Sequence, residues 1–244
     1  MLKVSFVAIL VSLVIWVGDP ALAVKVESVG VASIYGQPDP SAIAPGAGAM
    51  TSRPDGLGYW IATTEGVVVE FGQAQHYGDM KGTALNKPIV GMVATSTGRG
   101  YWLVASDGGI FSFGDATFYG STGALTLNSP IVGMTATHTG AGYWLVAADG
   151  GVFSYGDATF YGSTGAIKLN RPIVAMLSTK TSQGYWLLAD DGGIFTFGDA
   201  HFHGSGPGRG FSESFAGLIP TLDGSGYALV HTNGTVTPFG ASSL

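Results

Sequence analysis

Residues 142–162 read GYWLVAADGGVFSYGDATFYG, and this stretch recurs along the chain. Close copies begin at Gly100 and Gly184, and weaker copies begin at Gly58 and Gly226. The tyrosine in second place falls at positions 59, 101, 143, 185 and 227, so that consecutive copies are 42 residues apart. A fixed period of roughly 20–50 residues indicates a repeat architecture in which each unit packs against its neighbours.

One unit predicts four short strands, at residues 131–137, 143–148, 152–155 and 158–161. These runs are rich in β-branched and aromatic residues and are separated by glycine-containing turns. Asp149-Gly150-Gly151 is typical of a hairpin turn, because glycine accepts a positive φ. Four antiparallel strands in about 42 residues are typical of one blade of a β-propeller.

The two ends of the repeat region favour a ring over a linear β-solenoid. Residues 31–36 resemble residues 115–120, which include the predicted fourth strand of a unit. Residues 235–240 resemble a third strand, and the sequence stops at Leu244 before a fourth. The sequence therefore predicts an all-β, five-bladed propeller of four-stranded repeats, in which the N-terminal outer strand completes the last blade. Such closure leaves no unpaired edge strand.

The first 23 residues have the pattern of a secretory signal peptide. Lys3 precedes the apolar run 4–17, and Ala21-Leu22-Ala23 matches a small-residue cleavage site. We therefore expect a secreted protein whose single propeller domain spans residues 24–244. After cleavage we expect it to be a monomer with no membrane attachment. The net charge of −6 gives no support for a nucleic-acid partner, and the absence of cysteine excludes thiolate chemistry.

The expected inner strands carry no acid for catalysis. They are residues 46–52, 89–95, 131–137, 173–179 and 215–221, and none contains aspartate or glutamate. Glycoside hydrolysis requires a pair of carboxyl groups at a defined separation. The sequence thus predicts no catalytic residue, no cofactor and no metal site, and it favours a non-enzymatic protein.

Two repeated features are candidates for ligand binding. Aromatic rings can stack on sugars, and a turn aspartate can accept hydrogen bonds from hydroxyl groups. The alternatives are core packing for the aromatic residues and turn chemistry for the aspartates, including the hairpin residues Asp107, Asp149 and Asp191. The candidate residues are Tyr59, Trp60, Tyr101, Trp102, Tyr143, Trp144, Tyr185, Trp186, Asp115, Asp157 and Asp199.

The repeat GYWLVAxDGGI/VFxF/YGDAxFYGS resembles one found in secreted and cell-wall-associated proteins of actinobacteria. The similarity spans residues 31–240 and implies that the protein is located at the cell envelope. In architecture alone, the chain is also similar to tachylectin-type lectins. Together these features predict a propeller that binds cell-wall glycan or an envelope protein. The alternatives are a hydrolase of envelope glycan or its accessory subunit, and a purely structural scaffold for protein interactions.

Overall fold

A computed structural model describes residues 10–14, 25–29, 46–221 and 224–240. Within these residues five three-stranded antiparallel sheets follow one another along the chain. In the order of the sequence their strands are β3 (Ala47–Ser52), β4 (Gly58–Thr63), β5 (Val68–Gly72), β6 (Ile89–Ala94), β7 (Gly100–Ala105), β8 (Ile110–Gly114), β9 (Ile131–Ala136), β10 (Gly142–Ala147), β11 (Val152–Gly156), β12 (Ile173–Ser178), β13 (Gly184–Ala189), β14 (Ile194–Gly198), β15 (Phe215–Pro220), β16 (Tyr227–His231) and β17 (Val236–Phe239).

Two short strands precede the five sheets. Strand β1 (Leu10–Val14) pairs with β2 (Lys25–Val29) in an antiparallel register. The pair includes residues on both sides of the expected signal cleavage site, and export stays a prediction. The predicted closing strand, residues 31–36, lies outside the described residues. In the part of the chain that the structure describes, no helix has the length and apolarity needed to cross a bilayer.

The second strand of each sheet is central, and the pairing register repeats from sheet to sheet. Trp144 of β10 lies between Thr135 of β9 and Ser154 of β11. Every residue of the central strand β10 is buried. Such a strand is apolar at successive positions because other layers cover both of its faces. The first three predicted strands of the unit are thereby confirmed.

The predicted fourth strand is wrong. Residues 158–162 form no strand, and the corresponding segments of the other described units are irregular too. Their backbone groups bind side chains instead of a neighbouring strand. Trp144 donates from Nε1 to the Thr159 carbonyl (2.8 Å), and the Tyr161 amide donates to the Tyr185 hydroxyl (3.1 Å). The segment therefore joins two sheets, and within the described residues each unit has three strands rather than four.

The first strand of every sheet lines one cavity of about 270 Å³. It is lined by glycine, alanine, valine, methionine, leucine and isoleucine residues of β3, β6, β9, β12 and β15, with Val230 of β16. The cavity shows that the five sheets are grouped around a common centre with their first strands innermost. The prediction of inner strands without acidic residues is confirmed for these strands.

Neighbouring sheets are held together by aromatic side chains. The tryptophan of one central strand packs against the tyrosine of the next, as Trp102 does with Tyr143 at a ring separation of 5.9 Å. The same contact joins Trp60 to Tyr101, Trp144 to Tyr185 and Trp186 to Tyr227. Adjacent residues on a strand face opposite sides, so one Tyr-Trp pair serves two interfaces.

Candidate functional site

The Tyr-Trp pairs form the core and offer no surface to a ligand. All eight residues of these pairs are at most 4% exposed. A sugar would need an open ring face, and these faces are covered by the adjacent sheets. The assignment of Tyr59, Trp60, Tyr101, Trp102, Tyr143, Trp144, Tyr185 and Trp186 to a ligand-binding rim is therefore corrected to interior packing.

The tyrosine hydroxyl groups are fully used inside the protein. Tyr143 donates to the Gly120 carbonyl (2.6 Å) and accepts from the Tyr119 amide (3.1 Å). The same two bonds are made in the other units by Tyr101, Tyr185 and Tyr227, each to the segment that precedes its own sheet. Burial raises the pKa of Tyr101 to about 12, because the ionised phenolate would lose its hydration. Neither proton transfer at neutral pH nor ligand contact is available to these groups.

Asp115, Asp157 and Asp199 join two turns of their own sheets. Asp157 accepts from Thr137 Oγ1 (2.9 Å) and Thr139 Oγ1 (2.6 Å), which lie in the turn between β9 and β10. Asp115 binds Thr95 and Thr97 in the same way, and Asp199 binds Thr179 and Thr181. Both carboxylate oxygens of each aspartate thus accept a threonine hydroxyl. The geometry assigns them a turn-linking role in place of the expected ligand contact.

A different set of side chains makes this link in the first unit, where Gln73 stands in place of the aspartate. Arg53 donates from Nη1 to the Gln73 carbonyl (2.7 Å). Asp55 holds the guanidinium through two hydrogen bonds, Nε to Oδ1 at 2.9 Å and Nη2 to Oδ2 at 2.5 Å. These bonds lower the pKa of the Asp55 carboxyl to about 2. Arg53 and Asp55 occupy the positions of Thr95 and Thr97, so the three substitutions compensate one another.

The other repeated aspartates are turn residues, as the alternative interpretation predicted. Asp107, Asp149 and Asp191 each accept a hydrogen bond from the glycine amide two residues later, at 2.9, 2.9 and 3.0 Å. Asn233 does the same in the last unit, where it accepts from the Thr235 amide at 2.9 Å. Such side chain-to-backbone bonds stabilise tight turns.

With the Tyr-Trp pairs and the aspartates used in internal contacts, exposed phenylalanines are the repeated feature available for ligand binding. Phe118, Phe160 and Phe202 are 57%, 56% and 60% exposed. They occupy the same place in three consecutive units, in the segment that follows the third strand. The neighbouring residues Thr117, Thr159 and His201 are also exposed. Three solvent-facing rings at equivalent positions form what we call the phenylalanine row.

The phenylalanine row was not among the residues predicted from the sequence, although a signal for it is present there. In the repeated letters Ala-x-Phe-Tyr-Gly, the tyrosine and phenylalanine are neighbours on an extended segment, so only one of them can face the interior. Tyr161 is partly buried, and its hydroxyl donates to the Ser182 carbonyl (3.2 Å). Phe160 therefore faces outward. A repeated apolar residue next to an internal tyrosine indicates this arrangement.

Two exposed aliphatic residues lie farther along the same segments. Leu125 and Ile167 are 59% and 58% exposed, in the crossovers that lead to β9 and β12. They are equivalent residues of the second and third units. Isolated exposed apolar residues are normal on protein surfaces, but this pair comes from the same two units as Phe118 and Phe160.

Among the described residues, no group of three or more histidine, aspartate or glutamate side chains is placed to hold a metal ion. The inner cavity is lined without titratable side chains. The structure thus brings together an apolar centre, aromatic interfaces between sheets and an exposed aromatic row on their outer side.

Three-stranded or four-stranded antiparallel sheets grouped around a central cavity define the class of β-propeller proteins. Comparison with solved structures supports this class. The β-propeller domain of Myceliophteria thermophila Cps50 (Swd1) superposes with a TM-score of 0.53 at 11% identity, over 81% of this chain and 71% of that one. This likeness concerns the fold alone. No family model and no curated protein sequence matches the chain.

Proposed function

We propose that the protein is a secreted, non-enzymatic propeller that binds glycan of the cell envelope through the phenylalanine row. The observation that carries this proposal is the exposure of Phe118, Phe160 and Phe202 at equivalent positions of three consecutive units. Equivalent binding groups at regular intervals suit a ligand that is itself a repeating polymer. Each ring can stack on a sugar, and the adjacent hydroxyl of Thr117 or Thr159 can bond to it.

Several weak contacts on one polymer increase the total affinity. After the first ring engages, the others meet a ligand that is already held nearby, which raises its effective concentration. An aromatic contact contributes on the order of 1 kcal/mol. Loss of all three rings therefore weakens binding by more than tenfold, while loss of one ring has a small effect.

The test uses a substitution that the chain itself carries. His76 occupies the equivalent position in the first unit, so Phe118→His, Phe160→His and Phe202→His together suit the local backbone. Co-sedimentation of the purified protein with insoluble, protease-treated cell-wall glycan measures binding. We expect the triple variant to stay in solution and the parent protein to sediment. Equal sedimentation of the two proteins would refute the proposed glycan site.

A protein partner is the second candidate, and the exposed aliphatic residues Leu125 and Ile167 support it. Aliphatic side chains suit a protein interface rather than a sugar. Thr83 holds the equivalent place in the first unit, so Leu125→Thr with Ile167→Thr is the matched variant. Binding that requires Leu125 and Ile167, and that disappears after protease treatment of the envelope, would assign the function to protein recognition.

We also propose that the five sheets close into a ring. The common inner cavity supports this arrangement, since β3 of the first sheet and β15 of the last both line it. Residues 31–36 would supply the outer segment of the last unit. Closure matters for function because it fixes the phenylalanine row on a rigid, curved surface.

A further inference from the structure

A second recessed region differs in chemistry from the phenylalanine row. It is a cavity of about 730 Å³ between the β4–β5 turn and the crossover that leads to β6. Its volume falls within the range of about 300–1,000 Å³ that is usual for small-molecule sites. We call it the first-crossover cavity. It is lined by Thr64, Glu65, Val67, Met80, Lys81, Gly82, Thr83, Ala84, Leu85, Asn86, Lys87 and Pro88.

Sequence differences between the units give the first crossover different side chains where it meets the β4–β5 turn. In the second and third units the crossover packs glycine on glycine. A Cβ added to Gly123 would lie 3.2 Å from the Gly109 Cα, and one added to Gly165 would lie 3.1 Å from the Gly151 Cα. The first unit has Lys81 and Val67 at these two places. Both replacements add side chains that line the cavity.

A further link is altered in the same crossover. Thr122 donates from Oγ1 to the Asp107 carbonyl (3.1 Å), and Thr164 makes the equivalent bond to the Asp149 carbonyl at 3.4 Å. Met80 replaces the threonine in the first unit and has no hydroxyl group. The substitutions at positions 67, 80 and 81 thus act together at the boundary of the cavity.

Two lysine side chains, those of Lys81 and Lys87, line the cavity. Among the described residues, neither the Lys81 nor the Lys87 ammonium group has an ion pair or a hydrogen bond. Arg171 is the equivalent of Lys87 two units later, and its Nη2 lies 3.3 Å from Asp190 Oδ2. Ser106 takes the place of that aspartate beside Lys87. Lys87 therefore lacks the ion pair that Arg171 makes.

We propose that the first-crossover cavity binds a small organic anion, with Lys81 and Lys87 holding its carboxylate or phosphate group. Lysine binds such groups as a strong point charge. The side chains of Val67, Met80 and Leu85 supply an apolar wall for the rest of the ligand, and Thr83 and Asn86 supply hydrogen-bonding groups. Glu65, an exposed acid in the lining, disfavours ligands with further negative charge. This site is independent of the glycan proposal.

The experiment compares three probes that share an apolar ring. Phenyl phosphate carries a phosphate, benzoate carries a carboxylate, and benzyl alcohol is neutral. Backbone NMR shifts of the purified protein are followed during titration. We expect saturable shifts at residues 64–67 and 80–88 with at least one anion, and at least tenfold weaker binding of benzyl alcohol. The anion that binds more tightly shows whether the site prefers a phosphate or a carboxylate group. Equal binding of all three probes, or shifts elsewhere, would overturn the proposal.

Two variants test the role of the lysines. Lys81→Gly with Lys87→Ser introduces the residues of the second unit, and Lys81→Met with Lys87→Met keeps the length of the side chains without their charge. Both should weaken binding of the anionic probe at least tenfold. Lys168→Thr, which removes a positive charge from another crossover, should leave it unchanged. Unchanged binding in the folded methionine variant would overturn the assignment.

Discussion

Tyr143 donates a hydrogen bond to the carbonyl of Gly120 at 2.6 Å and thereby ties the third sheet to the segment that leaves the second. The same hydroxyl accepts from the Tyr119 amide. One side chain replaces part of the backbone ladder that a fourth strand would have made. The irregular outer segments are held between sheets for this reason, and the exposed phenylalanines lie on those segments.

Removal of this hydroxyl should destabilise the protein. Tyr143→Phe leaves a partly buried carbonyl and a partly buried amide without their partner, which costs about 1–3 kcal/mol. We expect a lower urea midpoint with an unchanged slope. Tyr155→Phe is the matched control, since Phe113 and Phe197 occupy that position in neighbouring units. A midpoint that falls equally in both variants would show that the Tyr143 hydroxyl has no special role.

The two classes of repeated aspartate should respond differently to substitution by asparagine. Asp157→Asn places an amide group opposite two threonine donors, and we expect a loss of about 1–2 kcal/mol in the free energy of unfolding. Asp149→Asn should change it by less than about 0.5 kcal/mol, because Asn233 performs the same turn function in the last unit. Chemical unfolding compares the two variants, and the reverse order would contradict the turn-linking assignment.

The Arg53–Asp55 pair and the Thr-Asp link should be interchangeable. Arg53→Thr, Asp55→Thr and Gln73→Asp together introduce the residues of the second unit at the first. We expect this triple variant to unfold within about 0.5 kcal/mol of the parent protein, since one exposed link replaces another. Gln73→Asp with Arg53→Thr alone lacks one threonine donor and should be less stable. A triple variant no more stable than the double variant would show that the links are not equivalent.

Alkaline unfolding should begin above pH 10. Burial raises the pKa of Tyr59 and Tyr101 to about 12, from 10.0 in the absence of the fold. Because the folded pKa is raised, the stabilisation is complete below pH 10 and is lost as the pH rises through 12. Absorbance at 295 nm measures tyrosinate, and circular dichroism measures folding. Ionisation of all tyrosines near pH 10 in a folded protein would contradict this result.

Ring closure predicts a dependence on the segment that precedes the first sheet. Deletion of residues 24–36 should remove the outer segment of the last unit and cause aggregation or a large loss of thermal stability. A circular permutant that starts at residue 73, with the original termini joined, should fold. Thermal unfolding and light scattering provide the measurements. A deletion variant as stable and monomeric as the parent protein would exclude closure by this segment.

The sequence alone determined the period, the three regular strands of each unit and their order from the centre outward. These features depend on local chemistry, because turn glycines and runs of apolar residues have the same meaning wherever they occur. Because Tyr143 and Trp144 are neighbours on a strand, they must also face opposite sides of it. The hairpin role of Asp149 followed from its glycine neighbours.

Only the tertiary structure decided how the remaining residues are used. Tyr143 is buried because the adjacent sheet covers it. The partners of Asp157 come from a turn about 20 residues earlier in the chain. The fourth segment has the composition of a strand, yet side chains from two sheets bind its backbone groups. Phe160 is exposed because Tyr161 takes the inward position beside Tyr185. The contacts of Asp157 and of the fourth segment join residues that are distant in sequence, so a local pattern does not specify them.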